Sequence, residues 1–451
     1  MSSDSPRQSV FDKNRLIRVG QWLESQVVSN RLAGASVLVG QRECEAYFHA
    51  TGTAGVNPPS TPINDASGAP SLRAFQRETI VRLYSMTKPV TSMAALMLYE
   101  QGHYQLDDPI AWYLPAFADM RVWTGNGNLT SSDELQRHTN ALESPITVRQ
   151  LMNHTAGFTY GFMNATPVDR YYREHELVFP GSPEPLASLV DRLAQAPLLC
   201  QPGTQWNYSV ATDVLGRLVE VWSGQSLAAY LDNEVFKPLG MINTGFHVEE
   251  TKTRHFADLY GPAAGGDLGA IGGNTSSSTA ASGLPAQKVM PLEPPVALDV
   301  LASTAFVEPP ALFSGGGGLV GCIDDYARFC QCLLNEGELD GVRLLGRKTV
   351  QYMRQNQLPG NRDMAAMGQA VWSESSYAGV GFGLGFAVVL DPVQAGVITS
   401  VGEHHWGGAA STFFWIDPVE KIYVILLTQL YPSSSYPLRT ELRTAVYQAL
   451  S

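Results

Sequence analysis

What this chain lacks narrows the field before any motif is read. No stretch approaches the ~18–20 uninterrupted apolar residues of a membrane span. The opening MSSDSPRQSVFDKNRLIRV is polar and carries no apolar segment of secretory type, so a cytoplasmic location is expected. Basic runs are absent, and 30 Lys and Arg face 42 Asp and Glu for a formal charge of −12. That balance argues against nucleic acid and against an anionic membrane surface as partners. Cysteine is scarce: Cys44, Cys200, Cys322, Cys330 and Cys332 are odd in number and without CxxC spacing. Reduced thiols are expected, and Cys330 and Cys332, two apart on an expected helix, point to different faces. The nine histidines show no HExxH or comparable ligand spacing, so no metal is expected. A G-x-S-x-G nucleophile elbow is also missing.

What is present is a long chain with ample core material. Hydrophobic residues make up 44% of the 451, and that length exceeds the usual domain of about 100–200 residues, so two lobes are expected. Residues 14–29 place Leu16, Ile17, Trp22, Leu23 and Val27 at helical spacing. Strand-like ASVLVGQ (35–41) and ECEAYFHAT (43–51) follow closely enough to pair as a hairpin, ahead of a Pro/Gly/Ser-rich loop over about 53–71. AALMLYEQG predicts a helix stopped by Gly102. Helical patterns then dominate to about 245, through 146–154, 211–224 and 227–240. Residues 262–311 lose periodicity and read as a long irregular loop. Beyond FSGGGGLVG (313–321) come helical DDYARFCQCLLNEG, strand-like 382–390, 411–418 and 421–430, and a last helix near 437–449. Strand signals at both ends with helices between them predict an α+β fold rather than a βαβ series. Residues 1–84 and 312–451 would build one sheet domain, with 85–311 as a mainly helical region inserted between them.

Three stretches could carry chemistry. In LYSMTKPVT (83–91), Ser85 stands three places before Lys88. Alone, a helix-capping Ser85 with Lys88 in solvent explains the pair as well as catalysis does. Positions i and i+3 of a helix share a face, so Lys88 can reach the serine hydroxyl. A helix N-terminus also favours developing negative charge there. The hydroxyl is inert at neutral pH unless a desolvated neutral lysine or a phenolate takes its proton. In QPGTQWNYSV (201–210), Tyr208 precedes a helical segment; taken alone it is a half-buried aromatic. As a base it needs its pKa of ~10 lowered by a nearby lysine cation. In HHWGGAAST (404–412), two glycines before strand-like FFWI suit a close backbone approach that frees an N–H for an oxyanion. Taken alone, an edge-strand turn with a packed Trp406 is the better reading.

Together they resemble a known family. SMTK, Tyr208-Ser209-Val210 and Trp406-Gly407-Gly408 stand in the order found in serine hydrolases related to class C β-lactamases and penicillin-binding proteins. The likeness is closer to family VIII carboxylesterases, which often carry Trp-Gly-Gly where β-lactamases have Lys-Thr-Gly. ITVRQLMNHTAGF (146–158), SGGGGLVG (314–321) and WGGAASTFFWIDP (406–418) match as well, and the likeness spans roughly residues 15–450. It implies a β-lactamase-like fold, an antiparallel sheet flanked by helices. It further implies that Ser85 attacks an ester carbonyl while Lys88 and Tyr208 share the proton traffic. The backbone N–H groups of Ser85 and Ala409 would form the oxyanion hole, and no cofactor or metal is required.

The departures matter too. Tyr-x-Asn is here Tyr208-Ser209-Val210, and Trp406 replaces the lysine that would receive a substrate carboxylate. Both point away from β-lactams and towards small neutral esters. Trp406, Gly407, Gly408 and Val210 become pocket candidates, with His405 as the occupant of the lysine position if the register shifts by one. His154 reads as a satisfied structural group, and SGGGGLV as a close-packing loop. The competing expectations are a β-lactamase, D-amino peptidase or acyltransferase on the same Ser85, and a non-catalytic binding protein on the same scaffold.

Overall fold

The computed structural model describes residues 10–42, 44–57, 71–126, 129, 131–263, 293–368 and 377–451. Helix α1 (Lys13–Val28) starts where the Asp12 side chain accepts the N–H groups of Asn14 and Arg15. It leads into β1 (Gly34–Gln41) and β2 (Cys44–Val56), the expected hairpin, and then a short β3 (Leu72–Ala74). The far end of the chain supplies β4 (Val380–Phe382), β5 (Ala387–Val389), β6 (His404–Gly407), β7 (Phe413–Asp417) and β8 (Ile422–Thr428). These eight strands form one sheet in the order β4-β5-β6-β7-β8-β1-β2-β3, with every pairing antiparallel.

Period-two alternation explains why the central strands are buried on both faces. Ala35, Val37, Val39, Phe413, Trp415, Val424 and Leu426 face α1 and the closing helix (Leu438–Tyr447). Leu38, Phe414, Ile416, Ile425 and Leu427 face the opposite way, into a core shared with the helix Ile323–Leu334 and the helical region. The sheet therefore stands between helices. Val81–Arg82 pairs with Val320–Gly321 beside the chain's passage between sheet and helical region. Among the described residues no helix is long and apolar enough to cross a membrane.

Three local readings change. The single strand expected over 382–390 is a hairpin, β4 and β5, around Gly385 at φ 111. A Cβ there would lie 2.5 Å from Ser92 Oγ, so only glycine lets the turn sit against the helix below. The helix expected over 227–240 splits into Leu227–Leu231, a π-turn Asp232–Phe236 and Lys237–Leu239. Pro238 has no N–H to donate and its ring crowds the preceding turn, which widens there. The loop expected over 262–311 is only partly irregular: Val296–Asp299 pairs with Leu259–Gly261, while 264–292 lie outside the described residues. The loop expected over 53–71 likewise yields its first residues to β2, with 58–70 outside the described residues.

Candidate active site

Ser85 sits in a single 3-10 turn, Tyr84–Met86, that runs directly into α2 (Thr87–Glu100). Neither helical start uses its hydroxyl as a cap. The residue before it, Tyr84, holds φ 46, a left-handed conformation that is strained for a side chain of this size. Residues Thr87 to Leu98 of α2 are buried on every side, so the helix runs through the core and aims its N-terminus at Ser85.

Lys88, one turn on, is 1% exposed. A lysine ammonium has three N–H donors, and each finds an acceptor here. They are Ser85 Oγ at 3.3 Å, the Tyr160 hydroxyl at 3.0 Å and the Gly316 carbonyl at 2.7 Å. The Gly316 carbonyl is itself placed by Asp213, whose Oδ1 accepts the Gly316 N–H at 3.1 Å and the Ser314 hydroxyl at 2.5 Å. A Cβ on Gly316 would meet Asp213 Oδ2 at 2.4 Å, so glycine is required for this approach. Burial raises the Asp213 carboxyl above its ordinary value, against the pull of Ser314 and the nearby Lys88 charge.

Tyr208 donates its hydroxyl proton to Ser85 Oγ in a short hydrogen bond. Its ring is caged by Trp406 at 5.4 Å, His154 at 5.1 Å and Tyr160 at 5.3 Å, and Lys88 Nζ lies 4.6 Å from its centroid. Burial pushes the Tyr160 phenol well above its ordinary value, with Tyr208 and Asp213 adding to the shift. His154 is fully buried with Nδ1 3.2 Å from Ser209 Oγ, and burial plus the Lys88 charge holds it neutral. It packs; it does not face the cavity.

The sheet closes the site from the other side. Strand β6 ends at Gly407, and Gly408 donates its N–H to Thr412 O at 2.9 Å. A Cβ on Gly408 would lie 2.3 Å from both Leu83 O and Thr412 Oγ1, so this turn touches the backbone that carries Ser85. The backbone N–H groups of Ser85 and Ala409 have no acceptor among the described residues. Free donors on both sides of a serine hydroxyl can hold an oxyanion. A cavity of about 590 Å³ opens above them, walled by aromatic side chains including Tyr84, Tyr160, Phe162, Tyr377 and Trp406. Ser85, Tyr208, Gly407, Gly408 and Ala409 line it as well.

Two pocket expectations need correction. Val210 is fully buried at the start of the helix Ala211–Ser223 and does not line the cavity. His405 does not line it either: its Nδ1 is 2.7 Å from Glu403 Oε1, and Glu403 takes two more bonds from Arg443. Neighbouring residues of a strand face opposite sides, so Trp406 toward the cavity forces His405 away from it. The sequence reading missed Tyr160, Asp213 and Gly316. Tyr160 stands two residues beyond the quoted ITVRQLMNHTAGF, and Asp213 lies five residues past Tyr208, in the first turn of the helix Ala211–Ser223. Among the described residues no group of three His, Cys, Asp or Glu is arranged to hold a metal ion.

A serine hydroxyl bonded to a buried lysine and a tyrosine, beneath an apolar cavity on this α+β scaffold, defines a serine hydrolase. The family model described as Beta-lactamase matches residues 19–448, and the chain belongs to that family. Protein Rv1367c of Mycobacterium tuberculosis is 30% identical over 408 residues, 90% of this chain and 87% of the relative. Esterase EstB of Burkholderia gladioli is 30% identical over 434 residues, 95% of this chain and 94% of the relative. The solved structure of EstCE1, described as a hydrolase with promiscuous acyltransferase activity, superposes with a TM-score of 0.71 at 26% identity. That match covers 96% of this chain and 99% of EstCE1.

Proposed function

We propose that the chain is a serine carboxylesterase of family VIII type, hydrolysing small or short-acyl esters through an acyl-enzyme on Ser85. The observation that carries this is the contact of one hydroxyl, Ser85 Oγ, with both Lys88 Nζ and the Tyr208 hydroxyl at the floor of an apolar cavity. Ser85 Oγ attacks the ester carbonyl and passes its proton to the Tyr208 oxygen, which serves as base in its deprotonated form, a phenolate beside the Lys88 ammonium. The carbonyl oxygen gathers negative charge between the N–H groups of Ser85 and Ala409. The same pair returns the proton to the departing alcohol. Water then attacks the acyl-Ser85 carbonyl as the base takes its proton; that proton passes to Ser85 Oγ as the acyl bond breaks, and the acid is released.

Ester preference over β-lactams rests on Trp406. Where the resembling β-lactamases carry a lysine ammonium, this cavity presents an indole packed on Tyr208 and Phe382. The test uses 4-nitrophenyl acetate, 4-nitrophenyl octanoate and nitrocefin with the wild type and Ser85→Ala. We expect turnover of the acetate ester by the wild type and loss of at least about 10³-fold in the variant. Equal turnover by the variant would sink the role of Ser85, and nitrocefin turnover matching that of the esters would overturn the ester preference. A second reading, acyl transfer from Ser85 to an alcohol instead of water, is favoured by the likeness to EstCE1, a hydrolase with promiscuous acyltransferase activity. It is read in the same assay as an alkyl ester formed when an alcohol is added.

A further inference from the structure

The cavity over Ser85 has a charge pattern opposite to that of the chain. The protein carries a formal −12, yet no Asp or Glu stands among the described residues lining the cavity. The charged side chains that do line it are two arginines, Arg173 and Arg439. Arg439 is engaged within the protein, its guanidinium 4.9 Å from the Phe413 ring.

Arg173 is different. It lies in the last turn of the helix Pro167–Glu174 and is exposed, and its Nη1 donates to Gly161 O at 2.5 Å. Gly161 follows Tyr160, whose hydroxyl takes a bond from Lys88, so the guanidinium is tethered close along the chain to the reacting groups. No described carboxylate pairs with Arg173. Its neighbour Glu174 is turned to Arg170 at 3.3 Å and to the Ser132 hydroxyl at 2.7 Å. A last-turn arginine also suits the helix dipole. The dipole does not require it to bond across to Gly161 and line this cavity. A guanidinium offers five donors in a planar fork, and the bond to Gly161 leaves an edge able to grip a carboxylate. Apolar walls concentrate its field on the cavity.

We infer that the cavity accepts esters bearing a carboxylate remote from the reacting carbonyl, and that Arg173 receives that carboxylate. The cation that Trp406 displaces from the sheet side is supplied from the helical side. The inference rests on the Ser85 reading above. It makes the preferred substrates half-esters of dicarboxylic acids or esters of hydroxy acids, neutral only where the chemistry occurs.

The experiment compares matched pairs with the full chain. Mono(4-nitrophenyl) glutarate against 4-nitrophenyl butyrate places the anion on the acyl side. Carboxyphenyl acetate against phenyl acetate places it on the alcohol side. The readout is the ratio of kcat/KM within each pair, for wild type, Arg173→Gln and Arg173→Lys. In at least one pair we expect the ratio to fall about tenfold in Arg173→Gln, as for loss of a charge-assisted bond, through KM. Arg173→Lys should recover part of it. The wild-type ratio should also fall with added salt, as screening tightens from ~10 Å at 0.1 M to ~3 Å at 1 M. Ratios unmoved within twofold in both pairs would overturn the assignment to Arg173. Retained turnover by Ser85→Ala would instead remove the reading beneath it, so the two failures are told apart.

Discussion

Replacing Gly408 by alanine tests how the sheet and the nucleophile are joined. The added Cβ would stand 2.3 Å from Leu83 O and 2.3 Å from Thr412 Oγ1. Ordinary van der Waals contact begins near 3.4 Å, so the turn must retreat by about 1 Å. Leu83 O cannot yield easily, because it accepts the Met86 N–H at 3.1 Å and Leu83 N is bonded to Leu319 O at 2.9 Å. The movement therefore falls on Gly408 and Ala409, and carries the Ala409 N–H out of line with Ser85. A displacement of that size costs on the order of 10²-fold in rate, close to the loss of one oxyanion donor. Stability should fall by about 1–3 kcal/mol, as for other overpacked sites. The assay is steady-state hydrolysis of 4-nitrophenyl acetate beside urea unfolding. We expect kcat to drop about 100-fold with KM changed less than threefold, in a protein that still unfolds cooperatively. A folded Gly408→Ala protein with kcat within threefold of wild type would refute the oxyanion role of Ala409.

Other outcomes follow from the same structure. Glu403 is fully buried between Arg443 and His405, and Arg443 and His405 outweigh burial to hold its pKa well below the ordinary carboxylate value. A depressed folded pKa gives stability that is complete above the unfolded value near 4.5 and is lost as pH falls towards the folded one. Unfolding free energy should thus decline on acidification below about pH 5, and less steeply in Glu403→Gln, as followed by urea melts across pH. Removing one partner only, as in Arg443→Met, should destabilise by about 3–5 kcal/mol, because it leaves a buried carboxylate unpaired. Thiol accessibility is a separate check. Cys44 is exposed, whereas Cys200, Cys322, Cys330 and Cys332 are buried, and burial pushes Cys322 and Cys332 up to about 12. A disulfide reagent such as DTNB should titrate Cys44 alone in the native protein and all five thiols after denaturation; rapid native reaction of the others would contradict the packing.

The reach of the sequence can be judged residue by residue. Strands at both ends were readable as short, nearly unbroken apolar runs because the sheet is buried on both faces, and 35–41 and 421–430 reappear as the adjacent β1 and β8. The hairpin at 380–389 was not readable, since Phe386 and Leu384 look like strand interior and only the contact with Ser92 reveals why Gly385 must turn. Ser85, Lys88 and Tyr208 could be named together because their motifs stand in the order of a resembling family, and the fold brings the three side chains into contact. Val210 could not be placed from its motif position, for the motif says nothing about which way a residue at a helix start points. Tyr160 and Asp213 act through a lysine and a glycine carbonyl, contacts that only the fold creates.

The pairing of β1 with β8 also sets a timetable. Ala35 meets Thr428, and the turn that reaches Leu83 belongs to residues only slightly earlier than β8. During synthesis, Ser85, Lys88 and Tyr208 leave the ribosome long before Trp406, Gly408 and Ala409 exist. Contacts of such sequence separation form late. A nascent or C-terminally clipped chain therefore holds Ser85 with Lys88 and Tyr208 but lacks Ala409, one of the two N–H donors proposed for the oxyanion. The proposed site is completed only once the strands from β6 onward have been made.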